Sequence, residues 1–364
     1  MAASAASPTL TPAPPALGAK SFLLLDHNSG RVIAEKDSNA RIEPASLTKL
    51  MTAYVVFNEM RKGSISNDEL VIISKKAWKM QGSKMFIEVG KKIALEKLIK
   101  GMIIQSGNDA TIALAEHIAA SEDGFVTLMN RHAQDLNMTG THFTNSTGWP
   151  HEDHYTTAAD MAKLTRKLIT KFPEHYELYK IKEYTFGGIR QFNRNRLLWR
   201  DDSVDGVKTG HTEAAGYCLI ASAQKNDMRL ISVVMGTRSE QSRETDSRKL
   251  LNYGFRFYET FPLHASNEAL TTMRIWKGAE EQIALGLSEP LYITIPRGSR
   301  NKVKANIKVD AMITAPAKKG QVFGSVNVTI NDEQLVNKPL IALKAVEEGG
   351  LWRKLVDNVI LMFN

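Results

Sequence analysis

Two apolar runs near the start of the chain, residues 20–26 (K-S-F-L-L-L-D) and 31–35 (R-V-I-A-E), flank His27-Asn28-Ser29-Gly30 and predict a β-hairpin. A helix is predicted from Ser46 to Met60. Leu47, Leu50, Met51, Tyr54, Val55 and Phe57 are apolar on more than one of its faces, which marks a helix buried in the centre of a domain. Helical periodicity recurs over 95–104 and 108–120, broken at Gln105-Ser106-Gly107. Thr157 with Asp160 three residues on predicts a capped helix over 158–170. From Gly206 the pattern alternates, and strands over 216–223 and 228–236 surround the turn Lys225-Asn226-Asp227. Residues 246–260 then predict a closing helix. A hairpin, a run of helices, a second hairpin and a helix describe a mixed α/β domain whose sheet uses both ends of the segment.

Beyond Phe261-Pro262-Leu263 the periodicity is almost wholly that of strands: 291–295, 303–313, 322–330 and 340–343, punctuated by Gly and Pro. The expected organisation is therefore an extended Ala/Ser/Thr/Pro-rich leader (1–18), a mixed α/β domain (19–262), a small all-β domain (263–350) and, after Gly349-Gly350, a 351–364 tail. In that tail Trp352, Leu355, Val356, Val359, Ile360, Met362 and Phe363 gather on one side, with Arg353, Lys354, Asp357 and Asn358 opposite. Such a pattern reads either as an amphipathic helix lying in a membrane interface or as a terminal helix packed on the β domain.

Composition narrows the possibilities. The single cysteine, Cys218, excludes an intramolecular disulfide framework, and its place in an alternating strand marks it as a packed core thiol. The formal charge is +8. The densest basic stretch, Arg297, Arg300, Lys302, Lys304 and Lys308, lacks interleaved aromatics, so it reads as a solvated strand face and not as a nucleic-acid groove. His151-Glu152-Asp153-His154 lacks metal-ligand spacing and a third ligand. The leader has neither the basic nor the apolar region of an export signal, which fits a cytosolic protein or one whose signal has been removed.

Three short motifs carry chemistry. Ser46-Leu47-Thr48-Lys49 puts a hydroxyl and an amine one turn apart on a buried helix. A serine is a weak nucleophile until a base takes its proton, and a lysine is that base only when burial or a second cation keeps it neutral. Two further S-x-x-K matches, Ser222/Lys225 and Ser299/Lys302, fall on strand or turn positions where the side chains need not meet. Ser106-Gly107-Asn108 sits at a helix break, where it either caps a helix or supplies a proton relay (Ser106) and an amide donated to a substrate carbonyl (Asn108). Lys208-Thr209-Gly210 opens the strand region. There Lys208 supplies the second cation, Thr209 a hydroxyl for a carboxylate, and Gly210 room for a substrate backbone beside a strand edge.

S-x-x-K, S-x-N and K-T-G in that order resemble the penicillin-recognising enzymes. The longer segments P-A-S-L-T-K-L-M-T-A-Y (Pro44–Tyr54), Q-S-G-N-D-A (Gln105–Ala110), H-Y-T-T-A-A-D-M-A (His154–Ala162), D-G-V-K-T-G-H-T-E-A-A-G-Y (Asp205–Tyr217) and K-L-L-N-Y-G-F-R-F (Lys249–Phe257) resemble the penicillin-binding protein 5/6 type D-alanyl-D-alanine carboxypeptidases. The resemblance implies a β-lactamase/transpeptidase-like α/β (α+β) catalytic domain with an antiparallel sheet and flanking helices. It also implies attack by Ser46 on the bond between the two terminal D-alanines of a peptidoglycan stem peptide, with Lys49 as base. Ser106, Asn108 and Lys208 complete the catalytic set. The backbone N–H groups of Ser46 and His211 form an oxyanion hole, and Thr209, Gly210 and Arg243 hold the substrate.

The same resemblance implies no metal or organic cofactor, acylation by β-lactams, and a periplasmic protein held on the inner membrane by residues 351–364, with the β domain as spacer. Two rivals accompany this expectation: a β-lactamase on the same scaffold, and a non-catalytic wall-binding or morphology module. Against the first, no E-x-x-L-N segment lies between Asn108 and Lys208, and S-G-N stands where S-D-N would be expected.

Overall fold

The β-hairpin of residues 21–36 forms one side of a sheet completed by strands from nearly two hundred residues later. A computed structural model describes residues 11–362. Pro12–Arg256 makes one compact unit and the chain from Phe257 onward another.

In the first unit, β1 (Ser21–Asp26) and β2 (Val32–Lys36) are followed by a 3₁₀ turn, Ala45–Thr48. Next come α1 (Lys49–Arg61), α2 (Leu95–Ile104), α3 (Asn108–Ala119), α4 (Glu122–Asp135) and α5 (Ala158–Lys171). The chain then enters β3 (Val204–Thr212), β4 (Gly216–Lys225), β5 (Met228–Thr237) and α6 (Glu240–Phe257). The sheet is antiparallel, in the order β2-β1-β5-β4-β3. Every residue of β1 is buried, as expected of an inner strand with both backbone edges paired.

Because α1 lies inside the domain, its first ten residues, Lys49–Asn58, are all buried. That accounts for its lack of a polar face. The cap of α5 is as expected: Thr157 Oγ1 accepts from the Asp160 N–H at 3.1 Å. Cys218 is buried in β4.

Several boundaries differ from the expectation. The predicted helix over 246–260 runs instead from Glu240 to Phe257, and Tyr258 onward turns into a strand. Helix α4 was not foreseen: only Phe125, Met129 and Ala133 are buried, a stripe one residue wide that gives little periodic signal. Residues 11–18 form no helix or strand, but they are tied to α6: the Tyr253 hydroxyl donates to the Pro12 carbonyl and the Gly18 N–H to Asp246 Oδ2. The rest of the expected leader, and Phe363, lie outside the described residues.

The second unit contains β6 (Tyr258–His264), β7 (Ala269–Trp276), β8 (Gln282–Gly286), β9 (Leu291–Pro296), β10 (Val303–Val309), β11 (Val322–Ile330), β12 (Glu333–Ala342) and α7 (Leu351–Met362). One sheet has the order β10-β11-β12-β8-β7, extended by Ile313–Thr314, and β6 pairs with β9 in a second. Ile275, Ile283, Leu285, Ile293, Ile295, Val326, Val328 and Leu340 form its core. Strands β7 and β8 are additions to the expected set, and β10 stops at Val309 instead of continuing to 313. Residues 304–308 are exposed, so Lys304 and Lys308 stand on a solvated strand.

Candidate active site

Ser46 sits in the 3₁₀ turn Ala45–Thr48 and Lys49 is the first residue of α1, so the predicted single helix starts as a tighter one. In a 3₁₀ turn side chains three apart eclipse, and Lys49 Nζ accordingly lies 3.1 Å from Ser46 Oγ. Two glycines let other segments close on this turn. A Cβ on Gly148 would sit 1.7 Å from the Ala45 carbonyl oxygen, and one on Gly210 would sit 2.9 Å from that of Pro44. Gly210 belongs to β3, the strand at the sheet's edge, which therefore runs directly beside the serine turn.

Lys49 is almost wholly buried and has three oxygen neighbours. Besides Ser46 Oγ, Nζ donates to Asn108 Oδ1 and to the Thr147 carbonyl, both at 2.7 Å. The latter two can only accept. A neutral amine has two N–H bonds and one lone pair, so it satisfies both acceptors and turns its lone pair to the one partner able to donate, the Ser46 hydroxyl. Burial, seconded by the Arg194 guanidinium and opposed by Asp109, lowers Lys49 to a pKa of about 7.

The sequence reading gave Lys208 the task of keeping Lys49 neutral. Arg194, which arrives from a loop, bears on Lys49 as a further cation. Lys208 is itself held well below the usual lysine range, by burial first and then by Lys49, Arg194 and Arg243. Double protonation of the two lysines is disfavoured by both burial and mutual repulsion.

Lys208 Nζ donates to Ser106 Oγ at 2.9 Å and to the Thr209 carbonyl at 3.2 Å, so all three motifs converge. Ser106 adopts φ +67° at the α2–α3 junction, an uncommon conformation for a residue with a side chain. Asn108 does more than its expected role: one amide N–H is given to the Gln81 carbonyl at 2.7 Å and its oxygen to Lys49. It orients the base, and the second N–H of its amide is the one left for a substrate carbonyl.

The neighbouring Asp109 accepts from the backbone N–H groups of Met85, Phe86 and Ile87, which fixes the segment that carries Ser83. Asn145 Oδ1 accepts from the N–H groups of Thr147, Gly148 and Trp149, and so aims the Thr147 carbonyl at Lys49. Behind the turn, His154 Nδ1 accepts from the Thr144 N–H, which leaves Nε2 to donate to Thr48 Oγ1 at 2.8 Å. Burial leads in lowering this histidine to about 4, with His142, His151 and Lys49 adding to it; it is a neutral structural group.

A cavity of about 240 Å³ opens over these groups, lined by Ser46, Ser83, Ser106, Arg194, Thr209, Gly210, His211, Tyr217, Glu240 and Arg243. Every site residue expected from the sequence either lines it or touches a residue that does. Arg243 is buried on α6, 3.3 Å from Glu240 and with its guanidinium 5.6 Å from the Tyr217 ring centre. Its Nε has no hydrogen-bond partner. The His211 ring lies 4.0 Å from that of Tyr217. Arg194 Nη2 reaches Ser83 Oγ at 3.1 Å. With Arg194 and Arg243 lining it and Glu240 as its one carboxylate, the cavity favours an anionic ligand. Among the described residues no cluster of His, Cys, Asp and Glu has metal-binding geometry.

Arg194, Thr147, Asn145 and Ser83 escaped the sequence reading. Only Asn145-Ser146-Thr147-Gly148 has a local signal, as a turn-forming run.

Comparison with known proteins agrees with the geometry. Residues 8–239 match the family described as D-alanyl-D-alanine carboxypeptidase, and 258–348 match the penicillin-binding protein 5 C-terminal domain. The chain is 42% identical to D-alanyl-D-alanine carboxypeptidase DacA of Escherichia coli (strain K12), over 98% of this chain and 90% of that protein. It is 39% identical to DacF of Bacillus subtilis (strain 168), over 91% and 87%. The crystal structure of penicillin binding protein 5 from Haemophilus influenzae superposes with a TM-score of 0.88 at 40% identity, covering 92% of this chain and 99% of that one. Penicillin-binding protein D2 of Listeria monocytogenes in its ampicillin-bound form covers 66% and 98%, with a TM-score of 0.61 at 29% identity. By its fold and by its matches along both units, the chain belongs to the D-alanyl-D-alanine carboxypeptidase family.

Proposed function

We propose that this enzyme removes the terminal D-alanine from peptidoglycan pentapeptide stems through an acyl-enzyme on Ser46. The observation that carries the reading is the hydrogen-bond set of Lys49: two acceptors fix its N–H bonds and leave the lone pair for the serine proton. Ser46 Oγ attacks the carbonyl carbon between the two D-alanines while its proton passes to Lys49 Nζ. The backbone N–H groups of Ser46 and His211 receive the oxyanion. The C–N bond then breaks, and the departing amine receives the proton that Lys49 accepted, relayed through Lys208 and Ser106, which the 2.9 Å contact supports, so that Lys49 is neutral again. Water, deprotonated by Lys49, attacks the ester carbonyl and returns Ser46. Thr209 and Arg243 hold the substrate's terminal carboxylate, and Gly210 lets its backbone approach β3. A β-lactam places a strained amide in the same position and acylates the same serine.

The test is D-alanine release from a D-Ala-D-Ala-terminated pentapeptide, run beside nitrocefin hydrolysis. Release that Ser46→Ala abolishes is expected. Rapid nitrocefin turnover with no D-alanine would replace this reading with the β-lactamase one. If Ser46→Ala preserves the protein's biological role and labelled penicillin does not attach to the wild type, a non-catalytic module is indicated.

We further propose that the protein works in the periplasm, peripheral on the inner membrane through residues 351–364. At 12 residues, α7 spans only about 18 Å, against roughly 30 Å of hydrocarbon, and among the described residues no helix is long and apolar enough to cross a membrane. Deletion of 351–364 is expected to release the protein from phosphatidylglycerol-containing liposomes with turnover of a soluble peptide unchanged. Equal retention of the truncated protein contradicts the anchor.

A further inference from the structure

A terminal amphipathic helix ordinarily docks its apolar face on the domain beside it. Helix α7 does the reverse. Leu351, Trp352, Leu355, Val356, Val359 and Met362 are all exposed, Trp352 to 80%, and none of the helix's apolar side chains joins the core of the β unit. Its one buried residue is a charged one. Asp357, 1% exposed, accepts from the Lys277 backbone N–H at 2.6 Å and from Arg274 Nη2 at 3.0 Å. The Arg274 guanidinium is in turn stacked 3.9 Å from the Trp276 ring centre. On the same side of the helix, Arg353 donates to Glu281 at 2.8 Å and Lys354 pairs with Glu348.

The preceding joint is closed as well. The Gly349 N–H donates to the Lys277 carbonyl at 2.8 Å, and a Cβ on Gly349 would lie 2.7 Å from the Gly278 carbonyl oxygen. Gly349-Gly350, a flexible break by sequence, is on its first residue a tight contact.

We propose that Asp357, held by Arg274 and the Lys277 N–H, is a latch that fixes the roll of α7, so that the β unit presents a preoriented apolar stripe to a bilayer instead of trailing a helix on a tether. The proposal rests on the membrane reading above and adds the positioning residue. A second copy of the chain is the other occupant for such a stripe. One face of a helix about 18 Å long offers a few hundred Å², well short of the roughly 800 Å² per partner of a stable interface. The stripe carries no charge, because the charged side chains face the β unit, and Trp352 suits the headgroup boundary.

The test compares the full-length wild type with Asp357→Ala, Asp357→Asn and Trp352→Ser. Sedimentation with phosphatidylethanolamine/phosphatidylglycerol vesicles reads binding, and amide hydrogen exchange of 351–362 without vesicles reads the latch. The wild-type helix should be protected in solution. Asp357→Ala should lose that protection and bind vesicles about tenfold less, since an undocked helix must be ordered and oriented on binding. Asp357→Asn, which retains an acceptor for the Lys277 N–H, should fall between. All variants should release D-alanine from a soluble peptide at the wild-type rate. Wild-type exchange at the unprotected rate, or Asp357→Ala vesicle binding equal to wild type, overturns the latch. If Trp352→Ser binds vesicles as the wild type does, the membrane reading fails, while the exchange data still judge the latch. Concentration-dependent dimerisation abolished by Trp352→Ser assigns the stripe to a second copy and overturns the lipid assignment.

Discussion

Replacing Asn108 by aspartate changes one heavy atom and leaves an acceptor 2.7 Å from Lys49 Nζ, now with a negative charge. An opposite charge at contact distance raises a lysine pKa by about 1–3 units. Starting from about 7, Lys49 would then titrate between about 8 and 10. At pH 7 its neutral fraction falls from about one half to between roughly 1 in 11 and 1 in 1000, so acylation slows by about 5- to 500-fold. At pH 9.5 the wild-type base is saturated and the variant's is between roughly one quarter and almost fully neutral, leaving a deficit below about fivefold. A second, pH-independent loss is expected, because the amide donated to the Gln81 carbonyl is gone. The assay is stopped-flow acylation by a chromogenic cephalosporin for wild type and Asn108→Asp from pH 6 to 9.5. The diagnostic is the narrowing of the gap with pH. A deficit equal at pH 7 and 9.5 refutes control by the Lys49 proton.

Stability carries the same signature. Below pH 7 Lys49 is protonated in both states and its burial opposes folding fully; between 7 and 10.5 only the unfolded chain retains the proton. Wild-type stability relative to Lys49→Met should therefore rise with pH, by about 1–3 kcal/mol from pH 6 to 9 in urea unfolding; a flat difference contradicts the depressed pKa. Gly148→Ala drives a methyl into the Ala45 carbonyl at φ +86°, so penicillin labelling should be lost and the melting temperature lowered, with a cost of about 1–3 kcal/mol or more. Thr48→Val leaves the His154 Nε2–H buried without its acceptor; a loss of about 1–3 kcal/mol in unfolding free energy is expected, with labelling by penicillin retained.

What the sequence made legible follows from distance along the chain. Ser46 and Lys49 share one turn, Ser106 and Asn108 one helix junction, and Lys208 to Gly210 one strand, so each motif carries its own local geometry. Their convergence was supplied by resemblance, since nothing in the spacing of 46, 106 and 208 dictates contact. Arg194 and Thr147 act on Lys49 through a guanidinium and a backbone carbonyl delivered by loops, and a carbonyl has no sequence signature. Asn108 is legible as a site residue, but its contact to Lys49 is not, because its orientation depends on Gln81, 27 positions away. The α7 pattern was read as amphipathic, yet only the folded β unit reveals that its charged side faces inward.

The central claim is that Ser46, activated by neutral Lys49, is the nucleophile. Intact-mass analysis after incubation with penicillin, followed by peptide mapping, tests it most directly. The account predicts one adduct per chain on the peptide containing Ser46, absent from Ser46→Ala and accumulating more slowly in wild type at pH 6 than at pH 8. An adduct that survives Ser46→Ala, or maps to Ser106, contradicts it.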